Sequence, residues 1–92
     1  MLVVSPIKDG ILDMTIYDFP DVGDVLEKHV HDAATVHYSI VAAGSLRYEI
    51  TGEPDVVLTT GSIVKSLPGQ DHGFVALAPR SRLVNVRYGG IV

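Results

Sequence analysis

The sequence predicts an all-β domain with little or no helix: about nine short strands wrapped around one core as an antiparallel barrel or jelly roll. Three observations lead there. Nine glycines and five prolines interrupt a chain of 92 residues every few positions. The segments between them are rich in Val, Ile, Thr and Tyr, the residues that fit a pleated, half-buried surface. Their short, regular spacing between turn signals is the pattern of a sandwich or barrel, and no segment reads as a helix.

The elements follow in order. Leu2 to Val4 is a short apolar strand, stopped by Ser5-Pro6, and Asp9-Gly10 is a turn signal. Ile11 to Phe19 is a longer strand with imperfect alternation, and Pro20 to Gly23 turns the chain. Val25 to His31 is a strand in which Val25, Glu27, His29 and His31 share one face, because side chains repeat with period two. Asp32-Ala-Ala is a loop. Thr35 to Ala43 follows, with His37, Ser39 and Val41 on one face and Tyr38, Ile40 and Ala42 on the other. Gly44-Ser45 reads as a tight turn that folds Leu46 to Thr51 back as the second arm of a hairpin. Val56 to Thr59 and Ser62 to Lys65 are short strands around Thr60-Gly61. Pro68-Gly69 opens a loop, and His72 to Leu77 carries His72, Phe74 and Ala76 on one face. Arg82 to Tyr88 is the last strand, before a Gly-Gly tail.

Length makes residues 1–92 a single domain, in which only about 60–65% of the unfolded surface is buried. There is no cysteine, so disulfides cannot reinforce the core; this agrees with a reducing, cytoplasmic setting. Reinforcement is expected from a metal, from a second copy of the chain, or from both. Hydrophobic residues make up 47% of the chain and the mean hydropathy is +0.30, so either the core is densely apolar or apolar surface meets a partner. A homodimer is expected, with Leu2 to Val4 adding to the partner's sheet. No apolar run approaches the ~20 residues of a membrane span, and the N-terminus lacks the basic and apolar regions of a signal peptide. The formal net charge is −4 with no basic tract, which argues against nucleic acid.

Chemistry concentrates in the histidines. All four, His29, His31, His37 and His72, fall within residues 23–44 and 68–74. His29 and His31 are two apart on one strand, His37 begins the next strand as its expected antiparallel neighbour, and His72 enters from a third. Each neutral imidazole offers one lone pair, and imidazole is the commonest metal-binding side chain. A purely structural use would set two titratable rings side by side for no packing gain.

These residues resemble the paired motifs of the cupins. Gly23, His29, His31 and Gly44 match the first motif, with His37 where the family has a glutamate. Gly61, Pro68 and His72 match the second. The spacer from His31 to His37 is five residues, longer than usual; Gly69 stands one place early; Ala76 replaces an asparagine, for which Asn85 lies too far on. The resemblance implies a double-stranded β-helix barrel and a small monocupin with an all-histidine metal site. The implied cofactor is a divalent transition metal, with Fe, Mn or Ni favoured over Cu or Zn. Four neutral ligands leave such an ion at +2, where three histidines and a glutamate leave +1. The site therefore attracts a small, oxygen-rich, anionic ligand.

By strand parity Ser39, Val41, Phe74 and Ala76 line the pocket, or else fill the barrel as plain core. Tyr38 and Tyr48 are read as core or interface. Arg47, Arg82 and Arg87 are candidates for a substrate carboxylate but read first as solvated strand charges. Glu27 is a candidate base or ligand-orienting group, with a surface role as the simpler reading, and Asp32 and Asp71 read as loop residues. Three functions remain open: a metal-dependent dioxygenase, isomerase or lyase; a non-catalytic module binding a small molecule or the metal; and an ion that only stabilises an undersized barrel.

Overall fold

The computed structural model describes residues 2–7, 12–29, 35–67 and 69–89. The expected Asp9-Gly10 turn, His31, the Asp32-Ala-Ala loop, Pro68 and the end of the tail lie outside them. The described residues form nine strands: β1 (Leu2–Ile7), β2 (Leu12–Phe19), β3 (Val25–His29), β4 (Thr35–Ala43), β5 (Ser45–Ile50), β6 (Val56–Thr59), β7 (Ile63–Ser66), β8 (His72–Ala76) and β9 (Ser81–Gly89). They contain no helix. All pairings are antiparallel and build two sheets, ordered β1-β2-β9-β4-β7 and β3-β8-β5-β6. The fold is the double-stranded β-helix. Strand β1 pairs with β2 of its own chain, Leu2 opposite Ile16, and continues past Ser5-Pro6 through an irregularity between Val4 and Ile7.

Two expectations are corrected. Strands β4 and β5 are not a hairpin: β4 pairs with β7 and β9, while β5 pairs with β6 and β8. Gly44 carries the chain from one sheet to the other with φ +78°, and a Cβ there would run into the side chain and Cα of Ser81. The Ser81 hydroxyl pins this crossover by accepting from the Ser45 amide (3.1 Å) and donating to the Ala78 carbonyl (2.8 Å). By the same topology His37 is not beside β3 but in the opposite sheet, so it meets the other histidine strands face to face.

The second correction concerns β3. Leu26 stands opposite Phe74, yet His29 stands opposite His72, so three residues of β3 span two of β8. This is a β-bulge, which inserts one residue and breaks the period of two. Val25 is consequently on the outer face, 56% exposed, while Leu26 packs against the core. The single face expected for this strand is therefore broken between Val25 and His29; His31 lies outside the described residues. Gly73 makes the bulge possible: a Cβ there would lie 2.7 Å from the Leu26 carbonyl oxygen and 2.9 Å from the Lys28 nitrogen.

The interior is filled in layers. One layer is apolar, with Val41 and Leu83 paired across one sheet and Ala76, Leu46 and Leu58 across the other; Phe19 closes it at the far end. The next joins Ser39 and Asn85 to Leu26, Phe74 and Tyr48. The third is polar and forms the candidate site.

Candidate metal centre

Two rows of residues face each other in the polar layer. One sheet contributes Ser66, His37 and Arg87, adjacent in register across β7, β4 and β9. The other contributes His29, His72 and Ile50 across β3, β8 and β5. The topology thus brings three of the four histidine positions into one layer. His37 and His72 are buried, at 7% and 2% exposure, with ring centroids 6.2 Å apart and planes at 75°. His31 lies outside the described residues.

The His72 ring is set to donate to a cation. His72 Nδ1 is 2.9 Å from the Gln70 carbonyl oxygen. A carbonyl only accepts, so Nδ1 carries the proton and Nε2 keeps its lone pair. Metal-binding histidines are held by this kind of hydrogen bond on the second ring nitrogen. Two imidazoles sharing one ion, at a metal–nitrogen distance of about 2.1 Å, have ring centroids about 4.5–6.5 Å apart. The His37–His72 separation lies at the upper end of that range, where the two rings approach an ion from nearly opposite sides. Among the described residues no group of three metal-ligating side chains is assembled, and the side chains of His29 and His31 are not among them.

Three further polar groups surround the pair. The Tyr48 hydroxyl and Ser66 Oγ are 2.5 Å apart, a buried hydrogen bond from one sheet to the other. The Tyr48 ring lies 6.2 Å from His72 and 4.9 Å from Phe74. Burial pushes the Tyr48 phenol above its ordinary 10.0, and the hydrogen bond with Ser66 offsets part of this. Behind His37, the Asn85 amide nitrogen is 3.2 Å from Nδ1, and Asn85 Oδ1 is 2.9 Å from Ser39 Oγ.

Tyr48, Ser66 and Asn85 are the groups that strand parity alone did not single out. Tyr48, which parity places in core or interface, is core, but its hydroxyl end enters the histidine layer. Of the residues expected to line a pocket, Ser39, Val41, Phe74 and Ala76 are all buried. Val41, Phe74 and Ala76 belong to the apolar core cluster, and Ser39 backs the Asn85 amide. Tyr38 is on the outer face, its ring 6.0 Å from Lys65 Nζ. The arginines divide. Arg47 pairs with Glu49 (2.8 Å) and Asp55 (3.7 Å), and Arg82 pairs with Asp18 (2.7 Å) at the other end of its strand. Arg87 alone of the three stands opposite His37, on the same face of the sheet. Glu27 is exposed, and Asp71 is a loop residue that accepts from Thr51 Oγ1. A separate cleft of about 490 Å³ opens at the far ends of β2, β4 and β9, lined in part by Asp18, Phe19, Ala43, Arg80 and Arg82, and contains no histidine.

Solved structures resemble this arrangement over nearly the whole chain. KdgF from Halomonas sp. is 26% identical, with TM-score 0.83, over 98% of this chain and 77% of that one. An RmlC-like cupin protein from Desulfovibrio desulfuricans is 18% identical, with TM-score 0.77, over 91% of this chain and 76% of that one. The Cupin_2 domain of an XRE-family transcriptional regulator from Enterobacter cloacae is 17% identical, with TM-score 0.83, over 98% of this chain and 97% of that one. The chain is a member of the cupin superfamily. No family model matches it and no curated protein matches its sequence, so membership rests on the fold together with the spacing of its histidines. At 17–18% identity the last two likenesses speak for the fold alone. His37 and His72, one from each of the two stretches that carry the resemblance, lie together at the polar end of the barrel.

Proposed function

We propose that this cupin binds one divalent transition metal through His29, His31, His37 and His72, and that it is a metal-dependent enzyme acting on a small, oxygen-rich anion. The observation that carries the reading is the His72 ring: buried beside His37, with Nδ1 donating to the Gln70 carbonyl, so that the lone pair of the neutral ring is on Nε2. Fe, Mn and Ni suit an imidazole shell with open positions better than Zn, which favours a closed tetrahedron in structural sites; Cu also suits imidazole. A bound ion supplies Lewis-acid polarisation of a substrate carbonyl or carboxylate oxygen.

The chain's own residues supply the remainder. Four neutral ligands leave the full charge of the ion to attract an anion, and Arg87 adds a positive charge on the face of His37. Phe74 and the apolar layer beneath it close the floor of the site against water. Tyr48 remains a neutral phenol through the physiological range, able to donate to a substrate oxygen from within a buried hydrogen bond. Dioxygenase, isomerase and lyase chemistries all begin from such a chelated anion.

Metal analysis of the purified protein is the first test, with one equivalent of a transition metal expected per chain; metal-free protein that takes up none of Mn(II), Fe(II), Ni(II) or Zn(II) overturns the reading. Oxygen uptake and product formation with small diketones and uronates then test turnover. A second reading is favoured by the filled interior. The ring pair bridges the two sheets, so an ion there would staple them, and the module would bind metal without catalysis. That reading expects the melting temperature to fall on chelation and no turnover with any candidate anion.

Association of two copies is also proposed, through the outer face of the five-stranded sheet. Met14, Ile16, Tyr38, Ile40, Ile63, Val84 and Val86 lie on that face in adjacent register across β2, β9, β4 and β7. Five strands of this length span roughly 600 Å² of sheet, close to the ~800 Å² per partner of a stable interface. Sedimentation should show a dimer that Val86→Lys converts to a folded monomer. A wild-type monomer at high concentration rules it out.

A further inference from the structure

We propose that Asn85 is a positioning residue for the metal centre, which together with Ser39 sets which nitrogen of His37 carries the proton. The inference rests on the metal reading above. The two buried histidines differ in what holds them. His72 is locked by a carbonyl, which can only accept. His37 Nδ1 instead faces a side-chain amide, whose two ends are opposite in kind: the oxygen accepts and the nitrogen donates.

In the arrangement observed, Ser39 donates to Asn85 Oδ1 (2.9 Å), and the Asn85 amide nitrogen donates to His37 Nδ1 (3.2 Å). A neutral His37 that accepts at Nδ1 carries its proton on Nε2, which then has no lone pair for an ion. Turning the amide end for end exchanges its oxygen and nitrogen, leaves every other heavy atom in place and reverses each hydrogen bond. His37 Nδ1–H donates to the amide oxygen, the amide nitrogen donates to Ser39 Oγ, and Nε2 is open to a cation. Serine serves in both directions because its hydroxyl both donates and accepts. The chain Ser39–Asn85–His37 therefore has two polarities with the same packing, one suited to the metal-free protein and one to the loaded protein.

The arrangement is built into the fold. Ser39 and Asn85 are directly opposite in register, and His37 is two residues from Ser39 on the same face of β4. Ser39 and His37 are buried, which keeps water from replacing either partner. A carboxylate ligand at the position of His37 would need no such control, because it has no tautomers. Substituting histidine there creates the requirement that Asn85 meets.

Zn(II) is a suitable diamagnetic probe. Long-range ¹H–¹⁵N correlation spectra of the wild-type protein should show the His37 proton on Nε2 without metal and on Nδ1 with Zn(II). Competition against a chelating dye should show Zn(II) affinity lowered about 10-fold or more in Asn85→Leu, the range of second-sphere substitutions. The Leu variant should keep the wild-type fold in the metal-free state, as read by far-UV circular dichroism. Wild-type affinity in folded Asn85→Leu overturns the role of Asn85, and a His37 proton that stays on one nitrogen overturns the switch. If wild-type protein itself fails to bind Zn(II), Ni(II), Mn(II) or Fe(II), the metal reading falls and this inference with it. The wild-type spectra stand whether or not the variant folds.

Discussion

Tyr48 shows how one side chain can serve packing and site together. Its ring stacks on Phe74 in the core while its hydroxyl bonds Ser66 across the sheets. Its raised folded pKa favours the native state below the ordinary value of 10.0, and that contribution is lost as pH rises through the folded value. An alkaline absorbance titration should find one tyrosine ionising above the others, together with a loss of stability. Tyr48→Phe should remove the late-titrating group and cost about 1–2 kcal/mol in urea denaturation. Asp18 has the opposite sign. The hydrogen bond from Arg82 holds its carboxyl below 3.8, so its contribution is present above that value and lost as pH falls through the lowered one. Both side chains are more than half exposed, so salt screens the pair. Arg82→Met should return the Asp18 titration, followed by carboxyl NMR, to the ordinary value while the melting temperature hardly moves.

At the scale of elements, the bulge in β3 decides where the histidines fall. With regular pairing Lys28 would stand opposite His72; the inserted residue gives that place to His29. Gly73→Ala should drive a methyl into the backbone of β3, with a cost of about 1–3 kcal/mol, the usual penalty of overpacking. Denaturation and metal titration of that variant should fail together, since the clash lies beneath the His29 register position. None of this is legible in the residues of β3, because a period of two assigns His29 to the face of Val25. The signal is a glycine in the middle of a different strand. Asn85 was hidden for a related reason. In β9 the apolar residues Val84 and Val86 are on the outer face, while the inner face carries Leu83, Asn85 and Arg87. Alternation therefore points the wrong way in a strand whose outer side is itself apolar.

Among the described residues of the whole molecule, the number and order of the strands and most of their limits could be read from glycine and proline spacing; the exception is β1, which runs through the expected Ser5-Pro6 stop to Ile7. Leu12–Phe19, Thr35–Ala43 and Val56–Thr59 fall within a residue of the expected ranges. Pairing could not be read, because a glycine that reverses a strand and one that carries it to another sheet look alike in sequence. Gly44 therefore reads as a hairpin turn, and sequence order sets His37 beside β3 rather than across the barrel from it. The high hydropathy, by contrast, was informative: the core clusters account for one part of it and the outer face of the five-stranded sheet for another.

Strand β9 lies between β2 and β4, and neither of those pairs with the other. During synthesis the first eighty residues therefore hold the two flanking strands with the slot between them vacant. The larger sheet cannot close until residues 81–89 leave the ribosome, and Asn85 arrives behind His37 only then. The larger sheet of this cupin is thus expected to form only once residues 81–89 have emerged, at the slow rate of folds dominated by distant pairings.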